Sequence, residues 1–150
     1  MLPAMSATET LQSIGLRVHQ RIYEGTGGAI GHRLIGVPSL LLRTTGRKTG
    51  LTRTNALVYA RDGEDYLVVA SNGGSDRPPS WLANLRAHSD VQIQIGRKSM
   101  PATARAVEPG ATEYERFWEL VNKNNRGRYK AYQEKTSRPI PVVALTPVSK

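Results

Sequence analysis

The sequence predicts an α+β, mostly β fold: a closed or nearly closed antiparallel barrel of about six strands with helices inserted between them. Its apolar runs are short, and one of them alternates cleanly with polar residues. Hairpin-length turns dominate the links, which disfavours parallel βαβ units with their long crossovers. Closing the sheet also removes the exposed edges that an open sheet of short strands would leave.

The elements follow in order. Leu11, Ile14, Val18 and Ile22 fall at helical spacing with Gln12, Arg17 and Arg21 on other faces, so residues 9–24 form an amphipathic helix. Its stripe is narrow and contains Gly15, and it either docks on the core or meets acidic lipid. Gly25, Gly27, Gly28, Gly31 and Gly36 then mark a flexible loop. Residues 1–28 are thus an N-terminal helix and loop, and residues 29–150 the main body of a single domain. Residues 40–42, 56–59 and 66–70 read as three antiparallel strands, the last following Asp62-Gly63, a dipeptide suited to a tight hairpin. Residues 91–95 alternate, and Gly96-Arg97-Lys98 turns them into a strand that includes residues 103–107 and is broken near Pro101. Residues 140–146 make the sixth strand. Asp76 is placed to cap a short helix running through Trp81, Leu82, Asn84 and Leu85, with Pro78 and Pro79 in its first turn. Thr112 and Glu115 form a capping-box pattern ahead of the stripe Tyr114, Phe117, Trp118 and Val121. Beyond it the chain turns polar and cationic to Arg138, but Tyr129 and Tyr132 stand three apart and can share a helical face that walls a pocket.

Composition narrows the function. At 150 residues the chain is long enough to bury about two-thirds of its unfolded surface as one domain. It has no cysteine, which excludes disulfides, thiolate metal sites and thiol catalysis and suits a reducing cytoplasm. No apolar run approaches the roughly 20 residues of a membrane span, and no signal peptide is evident, so the chain reads as soluble. The net charge of +9 calls for an anionic partner: nucleic acid, acidic lipid or a polyanionic small molecule. A nucleic-acid module lacks a recognition helix or an aromatic RNA-binding signature here. His19, His32 and His88 are widely separated and carry no metal-ligand pattern.

The chemistry concentrates at Thr45-Gly46-Arg47-Lys48-Thr49-Gly50, followed by Arg53 and Asn55. Arg47, Lys48 and Arg53 supply charge-assisted donors, and the two glycines permit a turn whose backbone N–H groups can line an anion-binding concavity. The ligand is phosphate-like. Nucleotide hydrolysis is set aside, because three residues separate Gly46 from Gly50 where the P-loop needs four before its Gly-Lys step.

Four ordered blocks then carry a resemblance: Thr44-Thr45-Gly46-Arg47-Lys48-Thr49-Gly50, Arg53-Thr54-Asn55, Val69-Ala70-Ser71-Asn72-Gly73-Gly74 and Pro79-Ser80-Trp81-Leu82-Ala83-Asn84-Leu85, closed by Arg138-Pro139-Ile140-Pro141-Val142. Across roughly residues 37–147 the chain resembles the deazaflavin-dependent nitroreductase family, whose members use coenzyme F-420. The resemblance implies a split β-barrel related to flavin-binding oxidoreductases. It further implies hydride transfer from reduced coenzyme F-420 to a quinone, nitroaromatic or other conjugated, electron-poor acceptor. An FMN-binding barrel or a cofactor carrier is the alternative.

Carried over by position, the cofactor-binding residues are Arg47, Lys48, Thr49, Arg53, Asn55, Ala56, Leu57, Val58, Ala70, Ser71, Asn72, Trp81 and Asn84, and the catalytic ones Ser71, Tyr129 and Tyr132; no metal is implied. Ser71 either contacts the ring or caps a strand, and Trp81 lies either in the core or in the ring slot. Asn72 stands where some relatives carry lysine, and Val58 and Arg126 where some carry tyrosine, leaving a more open or more cationic pocket. The assembly is a monomer or a homodimer. The location is cytoplasmic, with peripheral contact at the inner membrane face through the N-terminal helix as an option.

Overall fold

A computed structural model describes residues 38–148. The helix expected over residues 9–24 and the glycine-rich loop after it lie outside the described residues.

Seven strands form one antiparallel sheet: β1 (Ser39–Thr45), β2 (Thr52–Val58), β3 (Ala60–Asp62), β4 (Asp65–Val69), β5 (Asp90–Ile95), β6 (Lys98–Val107) and β7 (Val142–Pro147), in the order β2-β1-β5-β6-β7-β4-β3. The two outer strands, β2 and β3, are consecutive in the chain and separated only by Tyr59. The sheet must therefore curl until its two ends meet at that residue, which yields the nearly closed barrel the sequence predicts. Tyr59 anchors the corner: its N–H donates to the Pro38 carbonyl at 3.1 Å, its carbonyl accepts from the Asn124 amide at 2.8 Å, and its ring meets Tyr66 edge-on at 5.2 Å.

Two expectations change. The run expected as one strand over residues 56–59 ends at Val58, and a seventh strand, β3, begins beyond the corner. The expected three-stranded row is consequently absent, since β2 pairs with β1 and β4 pairs with β3 and β7. A corner between two buried-looking stretches leaves the alternation intact, so the sequence gives no sign of it. The break expected near Pro101 is also absent. β6 runs through Pro101, whose carbonyl accepts the Val148 N–H at 3.0 Å just past the end of β7, so the missing proline N–H falls where the ladder is ending.

Strand alternation sorts the side chains into two cores. Leu40, Leu42, Val68, Ile93, Val143 and Leu145 face the barrel interior with Trp81, Leu82 and Leu85 of α1 (Ser80–Ala87). Leu67, Val69, Val142 and Ala144 face outward and are covered by Phe117 and Val121 of α2 (Tyr114–Asn124) and Tyr129 of α3 (Arg128–Glu134). Each fully buried Leu, Ile or Phe contributes on the order of 1.5–3 kcal/mol. The α2 stripe is as expected, with Trp118 stacked on Tyr114 at 5.7 Å and the Tyr114 hydroxyl donating to the Ile140 carbonyl at 2.6 Å.

The helix starts differ from expectation. Pro79, not Asp76, precedes α1, and the Asp76 carboxylate instead accepts the Thr136 hydroxyl at 2.6 Å. Glu113 occupies the N-cap of α2 in place of Thr112 and pairs with Arg105 through its carboxylate. At α1 a tertiary partner thus takes the residue expected as the local cap.

Candidate active site

Two turns carry most of the candidate polar residues, and they are built by opposite means. The first, between β1 and β2, is the cationic one. The Gly46 N–H donates to the Leu51 carbonyl at 2.7 Å, Gly50 donates back to Gly46 at 2.8 Å, and the Thr49 hydroxyl accepts the Leu51 N–H at 3.2 Å. A Cβ on Gly46 would lie 2.8 Å from the Thr49 hydroxyl and 3.1 Å from the Leu51 carbonyl, so glycine lets the turn close with both in place. Arg47, Lys48 and Arg53 are exposed, and among the described residues none of them has an ion-pair partner.

Arg47 is nonetheless held. The side-chain carbonyl of Asn84, buried on α1, accepts both the Arg47 backbone N–H and its guanidinium at 3.1 Å, while the Asn84 amide donates to the Thr44 hydroxyl at 3.3 Å. The guanidinium also reaches the Ser80 carbonyl at 3.5 Å. Asn84, expected to hydrogen-bond a ligand directly, is thus committed to the turn that carries Arg47.

The second turn follows β4 and is neutral. Ser71 is right-handed (φ −81°), and Asn72, Gly73 and Gly74 follow at φ 45°, 66° and 86°. Three left-handed residues in succession are costly for anything but glycine or asparagine, which is what stands there. A Cβ on Gly74 would come within 2.8 Å of the Tyr132 carbonyl, so α3 packs directly on this turn. Ser71 is buried, and its hydroxyl has no hydrogen-bond partner among the described residues; the N–H groups of Asn72 and Gly73 also lack an acceptor there. Buried polar groups are ordinarily satisfied, so the Ser71 hydroxyl is the donor here that calls for an acceptor oxygen, Asn72 being exposed and Gly73 half-buried.

The sequence reading missed what holds this turn. The Arg138 guanidinium donates to the carbonyls of Ala70 at 3.2 Å, Ser71 at 2.8 Å and Ser75 at 2.9 Å. Burial lowers its pKa and Asp76 partly restores it, and a guanidinium stays charged throughout. A lone arginine before a proline announces no such role, and only the fold brings it across more than sixty residues of chain to Ser71.

The remaining candidates separate by strand face and layer. Arg53, Asn55 and Leu57 alternate along β2 on the side that pairs with Leu40, Leu42 and Thr44, and Leu57 packs against the inner core. Ala56 clusters with Leu41 on the opposite side, where Val58 also projects. Ala70 and Trp81 are buried in the inner core, Trp81 with only 4% of its surface exposed, and Asn72 is exposed with its amide on the Arg77 carbonyl at 2.9 Å. Tyr129 is buried in the outer core, where burial, partly offset by its hydrogen bond with Asn125, pushes its pKa up to about 12. Tyr132 is half-buried, edge-on to Tyr129 at 6.2 Å, with Lys135 over its ring at 5.7 Å.

The donor set suits a ligand that joins a polyanionic tail to a planar, oxygen-bearing ring: unpaired cations at one turn, neutral donors at the other. Comparison with known proteins points the same way. A family model described as F420H(2)-dependent quinone reductase matches residues 15–147. The chain is 56% identical over 132 residues to an F420H(2)-dependent quinone reductase of Mycobacterium tuberculosis, covering 87% of this chain and 89% of that protein. Among solved structures it is similar to an F420-H2 dependent reductase, FDR-A, with a TM-score of 0.64 and 38% identity over 72% of this chain and 93% of the other. A structure described as a domain-swapped dimer is similar at a TM-score of 0.67 and 33% identity, covering 93% of this chain and 99% of the other.

Proposed function

Because the chain belongs to the F420H(2)-dependent quinone reductase family, we propose that it reduces a quinone to the hydroquinone with reduced coenzyme F-420, the resemblance noted in its sequence having pointed to the same cofactor. The observations that carry the reading to particular residues are the exposed cations of the 46–51 turn, held on α1 by Asn84, and the buried Ser71 hydroxyl of the left-handed turn after β4. When bound, the cofactor supplies the hydride.

The protein's part is binding, alignment and charge. Arg47, Lys48 and Arg53 hold the anionic tail, each charge-assisted contact contributing about 1.5–3 kcal/mol. Thr49 and Asn84 keep that turn in shape, and Asn55 and Leu57 continue the same wall along β2. Ala70, Ser71 and Asn72 border the ring, with Trp81 beneath them as floor. Reduction leaves negative charge on a quinone oxygen until a proton arrives, and neutral preorganised donors stabilise charge that develops there. The Ser71 hydroxyl and the half-buried Tyr132 phenol are the donors proposed for that oxygen. Tyr129, whose proton is held to about pH 12, backs Tyr132 as a permanently protonated wall.

Nitroaromatic and enone acceptors share the electron-poor character of quinones and belong in the same assay. A homodimer is the assembly proposed, by analogy with the solved relative described as a domain-swapped dimer. Among the described residues no helix is long and apolar enough to cross a membrane, and the N-terminal helix proposed to visit one lies outside them.

The test is a fluorescence titration with oxidised coenzyme F-420 and, as control, FMN, followed by menadione reduction with the reduced form of whichever binds. Binding of coenzyme F-420 with menadione-dependent reoxidation is expected. Binding of FMN alone would overturn the reading, and binding without turnover on any of the three acceptor classes would leave a carrier.

A further inference from the structure

We propose that Arg138 is a positioning residue for the reaction: it sets Ser71 and Tyr132 in register with each other without itself touching the reactants. The inference rests on the reductase reading above and adds a residue that the candidate site set does not contain.

The geometry forms a closed loop of contacts. The Arg138 guanidinium spends three donors on the carbonyls of Ala70, Ser71 and Ser75, so one planar group spans both ends of a turn whose three central residues are left-handed. The carbonyl dipoles of that turn point at a fixed positive charge, which steadies a backbone conformation that would otherwise relax. Gly74 of the same turn meets the Tyr132 backbone so closely that a methyl group would not fit. Gln133, the next residue of α3, then fastens the backbone on either side of Pro139: its amide donates to the Arg138 carbonyl at 2.8 Å, and its carbonyl accepts the Ile140 N–H at 3.0 Å. Asp76 and Thr136 add a second tie between the two segments at 2.6 Å. Ser71, Tyr132 and Arg138 therefore move together or not at all.

A purely structural arginine would predict loss of folded protein and nothing more. A positioning arginine predicts a split between turnover and cofactor affinity, because the cationic turn that holds the tail is anchored separately by Asn84. Lysine at this position keeps the charge but reaches fewer carbonyls, having no planar fork.

The experiment compares the full-length protein with Arg138→Lys. Amide hydrogen exchange without ligand reads the clamp directly: the Gly74 and Ser75 N–H groups, bonded to the Ser71 and Asn72 carbonyls, should exchange about tenfold faster in the variant. With menadione, kcat should fall about tenfold or more while the Kd for oxidised coenzyme F-420 stays within about threefold. Ethylguanidinium added to Arg138→Ala should restore part of kcat; if that variant does not fold, the lysine variant decides alone. Unchanged exchange at Gly74 and Ser75 would overturn the clamp. Faster exchange with unchanged kcat, or a kcat that falls only in step with the folded fraction while Kd rises with it, would overturn the positioning role. Failure of the parent protein to bind coenzyme F-420 would sink the reductase reading and the catalytic consequence with it, while the exchange result would still judge the clamp.

Discussion

The turn at residues 46–51 and the turn at residues 70–75 carry hydrogen-bond donors of contrasting kinds. In the first the donors are side chains: Arg47 and Lys48, exposed, charged and unpaired among the described residues. In the second they are a buried hydroxyl and backbone N–H groups, with the Arg138 guanidinium turned onto the turn's own carbonyls. A permanent anion is best met by permanent opposite charge that solvent can help to screen. A charge that exists only during the reaction is best met by dipoles already in place. Both turns depend on one buried or half-buried polar side chain from a distant part of the chain, Asn84 in one case and Arg138 in the other.

Substitutions can break this contrast at either turn. The largest effect is expected at Gly74→Ala, which forces a Cβ against the Tyr132 backbone at φ 86°. A loss of about 2–4 kcal/mol in urea denaturation should accompany a collapse of turnover, because relief requires α3 to move away. Near-native stability would show that the two segments are not in register as described. Arg47→Ala comes next. Its Kd for oxidised coenzyme F-420 should rise about tenfold with stability nearly unchanged, and an unaltered titration would remove the tail-binding assignment.

Asn84→Ala should have a smaller effect on the same titration, about three- to fivefold, since Arg47 keeps its charge and loses only its anchor. Equal Kd values for the two variants would mean that placement, rather than charge, carries the affinity. The smallest effect on activity is expected at Tyr129→Phe, which should leave kcat within about twofold if this phenol is wall rather than acid. Its signature lies in stability. Tyr129 and Tyr114 are each raised from 10.0 to about 12, both chiefly by burial, so the folded state holds these protons more tightly than the unfolded chain does. Their stabilisation is whole below pH 10 and is lost as pH rises from 10 to 12, and Tyr129→Phe should flatten that decline in denaturant midpoints.

Much of this was legible in the residues. Hairpin spacing and alternation led to a curled antiparallel sheet, and Gly46 through Arg53 displayed an exposed cationic turn, because local periodicity and side-chain charge are properties a sequence displays directly. The seventh strand was not legible, since Tyr59 turns the chain from one edge of the sheet to the other without interrupting its buried pattern. The caps were misplaced for a related reason. Asp76 and Thr112 are good local candidates, yet Asp76 finds a stronger partner in Thr136, and the α2 cap position goes to Glu113, which pairs with Arg105.

The sequence by itself determined the fold class, the two faces of each strand and the cationic charge of the first turn, all of which follow from residue type and spacing. Only the tertiary structure decided which groups act together: that Asn84 serves Arg47, that Arg138 serves Ser71, and that Gly74 admits Tyr132. The physical reason is range. Periodicity and charge act over a few residues, whereas hydrogen bonds and steric fit join whatever the folded backbone brings within about 3 Å, however far apart along the chain.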